Sequence, residues 1–429
     1  MEALLGDDFP EFLKFYQSDS VFRGLRVNTL KCSADKLLGL LPFKPEKTPF
    51  CAQGYYLPKG AVSIGNNPLH HAGAFYVQEP SATSAVTMLA PKKGEMVLDL
   101  CAAPGGKSTQ IASALEGEGV LVCNEIVRNR AMILLSNIER MGVKNAVVTN
   151  ARPDLLCGRT RGFFDKVLVD APCSGEGMFK KNDAKREWSV EHVKSCAERQ
   201  LQILGSAKNA LREGGELVYS TCTFSPEENE GVITRFLSEN PDFELVDSGV
   251  SFGRPAMELG RRILPMDGGE GHFAVKLRRN SPNTSVPTAK DDFSTDKSVF
   301  EFYDDIFKDR PFGENLTVKK DKIFALTEPI PDLSGISVLR RGVLLGEIKR
   351  GRIEPCHTAF TAAKPSECRR AVDFDVNSEE IRKFLHGEEL SVNAEKGFCA
   401  VCVNGITAGF GKCSGSSLKN KYPKGLRTL

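Results

Sequence analysis

No apolar run in this sequence approaches the roughly 18 residues a helix needs to cross a bilayer, so no membrane span is expected. An excess of charge is missing too. The 57 Lys and Arg nearly cancel the 55 Asp and Glu, leaving a formal net charge of +2. Any surface for nucleic acid must therefore come from local clustering. The opening stretch MEALLGDDFPEF is acidic and has no basic n-region, so a secretory signal is not expected. An even, regularly spaced cysteine set is also lacking. Thirteen cysteines fall irregularly along 429 residues, which fits reduced thiols and a cytoplasmic protein better than a disulfide framework.

What is present divides into segments. The length implies two or three domains. Residues 1–75 read as a small α+β unit: FPEFLKFYQSD has helical spacing, RGLRVNTLK reads as a basic strand, and SADKLLGLL as a helix capped by Ser33. Over 76–280, short apolar strands (MVLDL, GVLVCNE, AVVTN, DKVLVD, GELVYS) alternate with helices such as RNRAMILLSNIERMG. Strands of this kind separated by helices predict an α/β domain whose parallel sheet is covered on both faces, with ligands at the strands' carboxyl ends. Residues 281–310 are rich in Ser, Thr, Asn, Asp and Pro and read as a linker. The segment 311–429 is β-rich and Gly-punctuated, with 19 Lys and Arg against 14 Asp and Glu. No acid follows Glu395, only Lys396, Lys412, Lys419, Lys421, Lys424 and Arg427. Such a run is usually a solvated face; at the end of this chain, phosphate contacts are the favoured reading.

Three strand ends carry possible chemistry. The loop DLCAAPGGKSTQ (Asp99–Gln110) opens a helix with two glycines, which suits a carboxylate or phosphate, and Lys107 could add a charge. It is neither the Gly-x-Gly-x-x-Gly fingerprint nor a Walker loop, so a nicotinamide oxidoreductase is disfavoured. Glu125 ends the next strand, where a carboxylate can take two ribose hydroxyls. A nucleoside bearing an amino-acid carboxylate, such as S-adenosylmethionine, would satisfy both ends. VDAPCSGEG offers Asp170 and Cys173, and YSTCTFSPEENE offers Cys222. A single cysteine is most often a small buried hydrophobe, the reading given to Cys32, Cys51, Cys101, Cys123, Cys157, Cys196, Cys356 and Cys368. Two at two strand ends facing one crevice are harder to dismiss. Cys399 and Cys402 lie three apart in an alternating strand and should face opposite sides, and His70 and His71 are adjacent; no metal site is expected.

LDLCAAPGGKSTQIA, VDAPCSGEGMF and STCTFSPEENE resemble, in this order, the signature motifs of the NOL1/NOP2/Sun family of RNA cytosine-C5 methyltransferases. RGLRVNTLK, HHAGAFYVQEPSA and GEGHFAVKL look like its bacterial RsmF-type branch, which acts on small-subunit ribosomal RNA. LKNKYPKGLR is similar to that branch's C-terminal PUA-like RNA-binding domain. The resemblance covers nearly the whole chain, the linker least. It implies a Rossmann-like class I S-adenosylmethionine-dependent core, flanked by a small N-terminal domain and a PUA-like β-rich domain.

The resemblance further implies that Cys222 adds to cytosine C6, making C5 nucleophilic, that Cys173 assists release, and that Asp170 bonds the N3/N4 edge. The implied cofactor set is Cys101, Ala102, Ala103, Pro104, Gly105, Gly106, Lys107, Glu125, Arg130, Asn150 and Asp170. Two departures stand out: Asn150 where many methyltransferases place an Asp, and Met266 where relatives often have His. By analogy with DNA cytosine methyltransferases, Cys173 would attack instead; the presence of both cysteine motifs favours the RNA family's division of labour. The expected partner is RNA, 16S rRNA or the 30S subunit, with the chain acting as a monomer. A tRNA substrate, or a non-catalytic ribosome-assembly factor keeping this fold, are the other readings.

Overall fold

A computed structural model describes residues 1–18, 21–61, 64–180, 188–282, 293–294 and 296–428. Its centre is a mixed sheet. Four neighbouring pairs are parallel, running in spatial order Leu211–Thr221, Phe164–Asp170, Met96–Asp99, Val120–Asn124, Ala146–Thr149. The expected alternation of strand and helix holds: Gly106–Leu115, Arg128–Arg140 and Val190–Ala210 are the main connecting helices. The strands are apolar on both faces because each face has its own core. Leu98, Val122, Val147 and Val167 pack into one, while Val97, Leu121, Val148 and Leu168 pack into the other. Residues adjacent in sequence thus point into opposite layers, as strand geometry requires.

Chain order sets the position of the site. From Met96–Asp99 the chain builds outward through Val120–Asn124 and Ala146–Thr149, then returns to place Phe164–Asp170 on the other side of the first strand. Such a reversal opens a crevice at the carboxyl ends of the two central strands. Beyond Leu211–Thr221 the sheet continues antiparallel through His272–Arg279 and Gly260–Ile263.

The N-terminal unit is a four-stranded sheet in which Gly24–Val27 lies between Gly54–Tyr56 and Phe75–Gln78, so its pairing runs past residue 75. Ser33 caps Ala34–Leu40 as expected, its Oγ accepting from the Lys36 N–H at 3.3 Å. The C-terminal part has two further sheets, one of four strands from Leu316–Lys319 to Arg352–Pro355 and one of five that includes Gly397–Val403 and Ile406–Cys413.

The reading of 281–310 as linker needs correction. Residues 283–292 and 295 of that stretch lie outside the described residues. Lys297–Ile306, however, is a helix capped by Asp296, and it buries Val299, Tyr303 and Ile306 against the adjoining sheet. Its polar composition hid an apolar face at helical spacing. The strand Val338–Arg341 also departs from a separate C-terminal unit, since it pairs antiparallel with Ala146–Thr149 at the edge of the central sheet. Among the described residues, no helix is long and apolar enough to cross a membrane.

Candidate active site

The site is built on adjacent parallel strands. Asp170 ends Phe164–Asp170 in register with Ser220 near the end of Leu211–Thr221, so the loops leaving the two strands start side by side. Cys173 and Cys222, 49 residues apart in sequence, come together with their sulfurs 3.4 Å apart. Both are half-buried. The Cys173 thiol is pushed well above the usual thiol value, first by its hydrogen bond to Cys222 and then by burial. Cys173 therefore keeps its proton, and either sulfur can donate to the other across this contact.

Two acids, the half-buried Glu176 and the buried Glu228, lace these loops together. Glu176, from the Cys173 loop, accepts from the Phe224 N–H and the Thr223 hydroxyl, each at 3.0 Å. Glu228, from the Cys222 side, accepts from the Ser174 N–H at 3.0 Å and from the Gln200 amide at 2.8 Å. Gly177 donates its N–H to the Cys222 carbonyl at 2.9 Å. A Cβ at residue 177 would lie 2.9 Å from that carbonyl oxygen and 3.0 Å from the Gly271 oxygen, so only glycine allows this approach. The N-terminal helix Phe9–Gln17 braces the same loops: Phe12 packs edge-on against Phe224, and the Tyr16 hydroxyl donates to the Glu176 carbonyl at 2.6 Å.

Asp170 lies at the foot of the pair. Its carboxylate accepts from Lys107 Nζ and from the Ser220 hydroxyl, each at 2.8 Å. Burial alone would raise its pKa, but the Lys107 ammonium and these hydrogen bonds hold it below the usual carboxylate range. Asp170 is thus an anion. Lys107 is answered by the same pairing and stays charged despite burial. Asp99 behaves oppositely: fully buried and bonded only to the Ser108 hydroxyl at 2.6 Å, it is pushed up to about 7 by desolvation. His272, which was not among the sequence-derived candidates, sits with Nε2 3.8 Å from Asp170. Burial and then Lys107 push it down to about 3, so it is neutral. Its only signal in the sequence was its place in GEGHFAVKL.

A cavity of about 910 Å³ runs from the cysteines to Glu125. Of the expected cofactor residues, Cys101, Ala103, Glu125, Arg130 and Asp170 line it. Ala102, Pro104, Gly105 and Gly106 shape the loop behind; Gly105 has φ +112°, a conformation L side chains rarely adopt. Lys107 serves Asp170 rather than the cavity wall. Glu125 is buried, its Oε1 accepting from the Val127 N–H at 2.8 Å, while Arg130 Nη1 stands 3.6 Å from Oε2. Asn150 does not line the cavity; its side-chain amide donates to the carbonyls of Glu125 and Ile126 and so fixes the turn that carries Glu125. Met266, the other departure, packs beside Phe12, Phe224 and Leu264. Cys399 and Cys402 are buried in different cores, as their spacing predicts.

Comparison with known proteins assigns each part of the chain. A family described as 16S rRNA methyltransferase RsmB/F matches residues 86–278, and the N-terminal domain of 16S rRNA methyltransferase RsmF matches 1–80. The RsmF first C-terminal domain matches 301–361 and the RsmF PUA domain 371–428. The chain is 32% identical to ribosomal RNA small subunit methyltransferase F of Vibrio vulnificus (strain YJ016), over 99% of this chain and 94% of that protein. Its counterpart in Aliivibrio salmonicida (strain LFI1238) is 31% identical, over 94% and 91%. Among solved structures, a methyltransferase homologue from Pyrococcus horikoshii is 32% identical with TM-score 0.58, covering 64% of this chain and 91% of that one. NSun6 from the same organism, solved with SFG, is 25% identical with TM-score 0.59, covering 65% and 96%. With relatives of one kind matching almost end to end around this pair of cysteines, the chain belongs to the ribosomal RNA small subunit methyltransferase F family.

Proposed function

We propose that this chain, acting as a cytoplasmic monomer, methylates C5 of a cytosine in 16S rRNA, with Cys222 as nucleophile and Cys173 as the releasing group. The observation that carries the reading is the pair of sulfurs 3.4 Å apart above an anionic Asp170. S-adenosylmethionine fits the residues present. The Cys101–Gly106 loop would hold its methionine end and the buried Glu125 carboxylate its ribose, and the cavity has room for a target base beside it. When bound, it supplies the methyl group as a sulfonium.

The chain's own residues do the rest. Asp170 accepts the cytosine N4–H, and Lys107 on the same carboxylate keeps it ionised. Cys222 enters as a thiolate, hydrogen-bonded by the Cys173 S–H, and bonds to C6. C5, now part of an enamine, takes the methyl group. Water in the cavity accepts the proton from C5, the C5–C6 double bond re-forms, and the C6–S bond breaks with its electron pair returning to Cys222. Cys173 meets the departing thiolate with the same hydrogen bond. To present C5 and C6 together the base must leave its stack. The N-terminal unit and the acid-free C-terminal tail would hold the flanking RNA, Lys412, Lys419 and Lys421 reaching phosphates. The test is methyl transfer from labelled cofactor to 16S rRNA, followed by bisulfite sequencing. Wild type should protect a discrete cytosine and Cys222→Ala none; transfer to tRNA alone would replace the substrate.

A further inference from the structure

One wall of the cavity is a face of a single long helix, Val190–Ala210, about 31 Å from end to end. Its inner face buries Val193, Cys196, Gln200, Leu204 and Ala207. His192, Arg199, Gln202 and Ser206 turn instead toward the cavity, at the seven-, three- and four-residue spacings that keep side chains on one face. A polar stripe thus runs the length of the site. Arg199 lies where the stripe passes the cysteines: its neighbour Gln200 donates to the Pro172 carbonyl at 3.1 Å, and both Arg199 and Cys173 line the cavity.

The charges in the cavity are paired, with one exception. Arg130 stands against Glu125, Arg152 makes a two-pronged bond to Asp154, and Asp170 is answered by Lys107. Glu198, beside Arg199 in sequence, is taken by Arg235 at 2.6 Å. Among the described residues lining the cavity, Arg199 is the arginine without a carboxylate partner, and it is exposed. A surplus guanidinium at the mouth of a site for a flipped-out nucleotide matches one group, the phosphate that tethers that nucleotide to its strand.

We propose that Arg199 binds a backbone phosphate next to the target cytidine and that the His192–Arg199 face is the wall along which the RNA strand enters. The assignment rests on the RNA-methyltransferase reading above and adds which wall carries the substrate. Arg199→Ala and Arg199→Lys, compared with the full-length wild-type chain, test it by filter binding of 16S rRNA across a KCl series and by KM for that RNA. Cofactor affinity is read in parallel by calorimetry. Arg199→Ala should weaken RNA binding about tenfold or more, with the loss falling on KM for RNA. It should lower the log–log salt slope by about one. Arg199→Lys should recover most of the affinity, and cofactor affinity should stay within about twofold. A tenfold loss of cofactor affinity with RNA binding intact would overturn the proposal, giving Arg199 to the cofactor carboxylate. Unchanged RNA affinity and slope would also overturn it, leaving a solvated arginine. Should wild type transfer no methyl to rRNA, the functional reading falls, while the binding slope still decides the role of Arg199.

Discussion

At the scale of single residues, Asp99 and Asp170 show how two aspartates a few ångströms from the same loop end in opposite states. Asp170 has a cation and a hydroxyl on its two oxygens, and its pKa falls. Asp99 has one hydroxyl and full burial, and rises to about 7. The linkage follows in sign. A folded value of about 7 against an unfolded value of about 3.9 means the native state holds the extra proton between those limits, so Asp99 makes stability fall as pH rises from about 4 to about 7. Asp170 contributes stability above the unfolded value, lost as pH drops through its lowered folded value. In Asp99→Asn, the drop in Tm between pH 5 and pH 8 should be smaller than in wild type; equal drops would show that Asp99 does not titrate there. The importance of Asp170 could be read from its strand-end place, whereas the protonation of either aspartate could not. It depends on Lys107 reaching Asp170 and on Ser220 arriving from a neighbouring strand, contacts that local sequence does not specify.

At the scale of elements, the two cysteine loops form one unit because each sends an acid to the other's backbone, Glu176 to Phe224 and Glu228 to Ser174. Gly177 is the point of closest approach. Gly177→Ala should push the Cys222 backbone away and reduce kcat at least about tenfold, since displacement by even an ångström is costly at a reacting centre. Cofactor affinity, measured by calorimetry, should stay within about twofold because the Glu125 end is untouched. A variant with full kcat would show that the loops tolerate the shift. The strands and helices of this core were legible in the sequence because short continuous apolar runs and helical spacing are local signals. That Cys173 and Cys222 meet was only half legible. The motifs put both at strand carboxyl ends, but adjacency required the order of the sheet. The helix Lys297–Ile306 escaped because Ser, Asp and Lys dilute its apolar face.

At the scale of the molecule, the two ends of the chain share a core. Leu25, Val27, Leu37, Leu69 and Phe75 from the N-terminal unit pack in one cluster with Ile381, Phe384, Val401 and Leu418 from the C-terminal sheet. The His71 Nδ1 and the Tyr422 hydroxyl are 3.2 Å apart across the same junction. Neither segment announces this in sequence, because each has the apolar content of an ordinary small domain and complementarity between distant surfaces leaves no periodic trace. The consequence is mechanical: the units flanking the catalytic domain form one brace around it, continued by Val338–Arg341 in the central sheet. Phe384→Ala, at a fully buried position, should cost about 3–5 kcal/mol in denaturant unfolding. It should also raise amide exchange in Gly24–Val27 as well as in the C-terminal sheet. Loss of protection confined to the C-terminal sheet would mean the two units unfold separately.

The division of labour between the two sulfurs is the centre of the account, and a denaturing gel of protein incubated with 16S rRNA and cofactor tests it most directly. Cys173→Ala should accumulate a slow-migrating covalent protein–RNA band, because Cys222 still bonds to C6 and release is impaired. Cys222→Ala should give no such band. A band with Cys222→Ala and none with Cys173→Ala would contradict the account and make Cys173 the nucleophile.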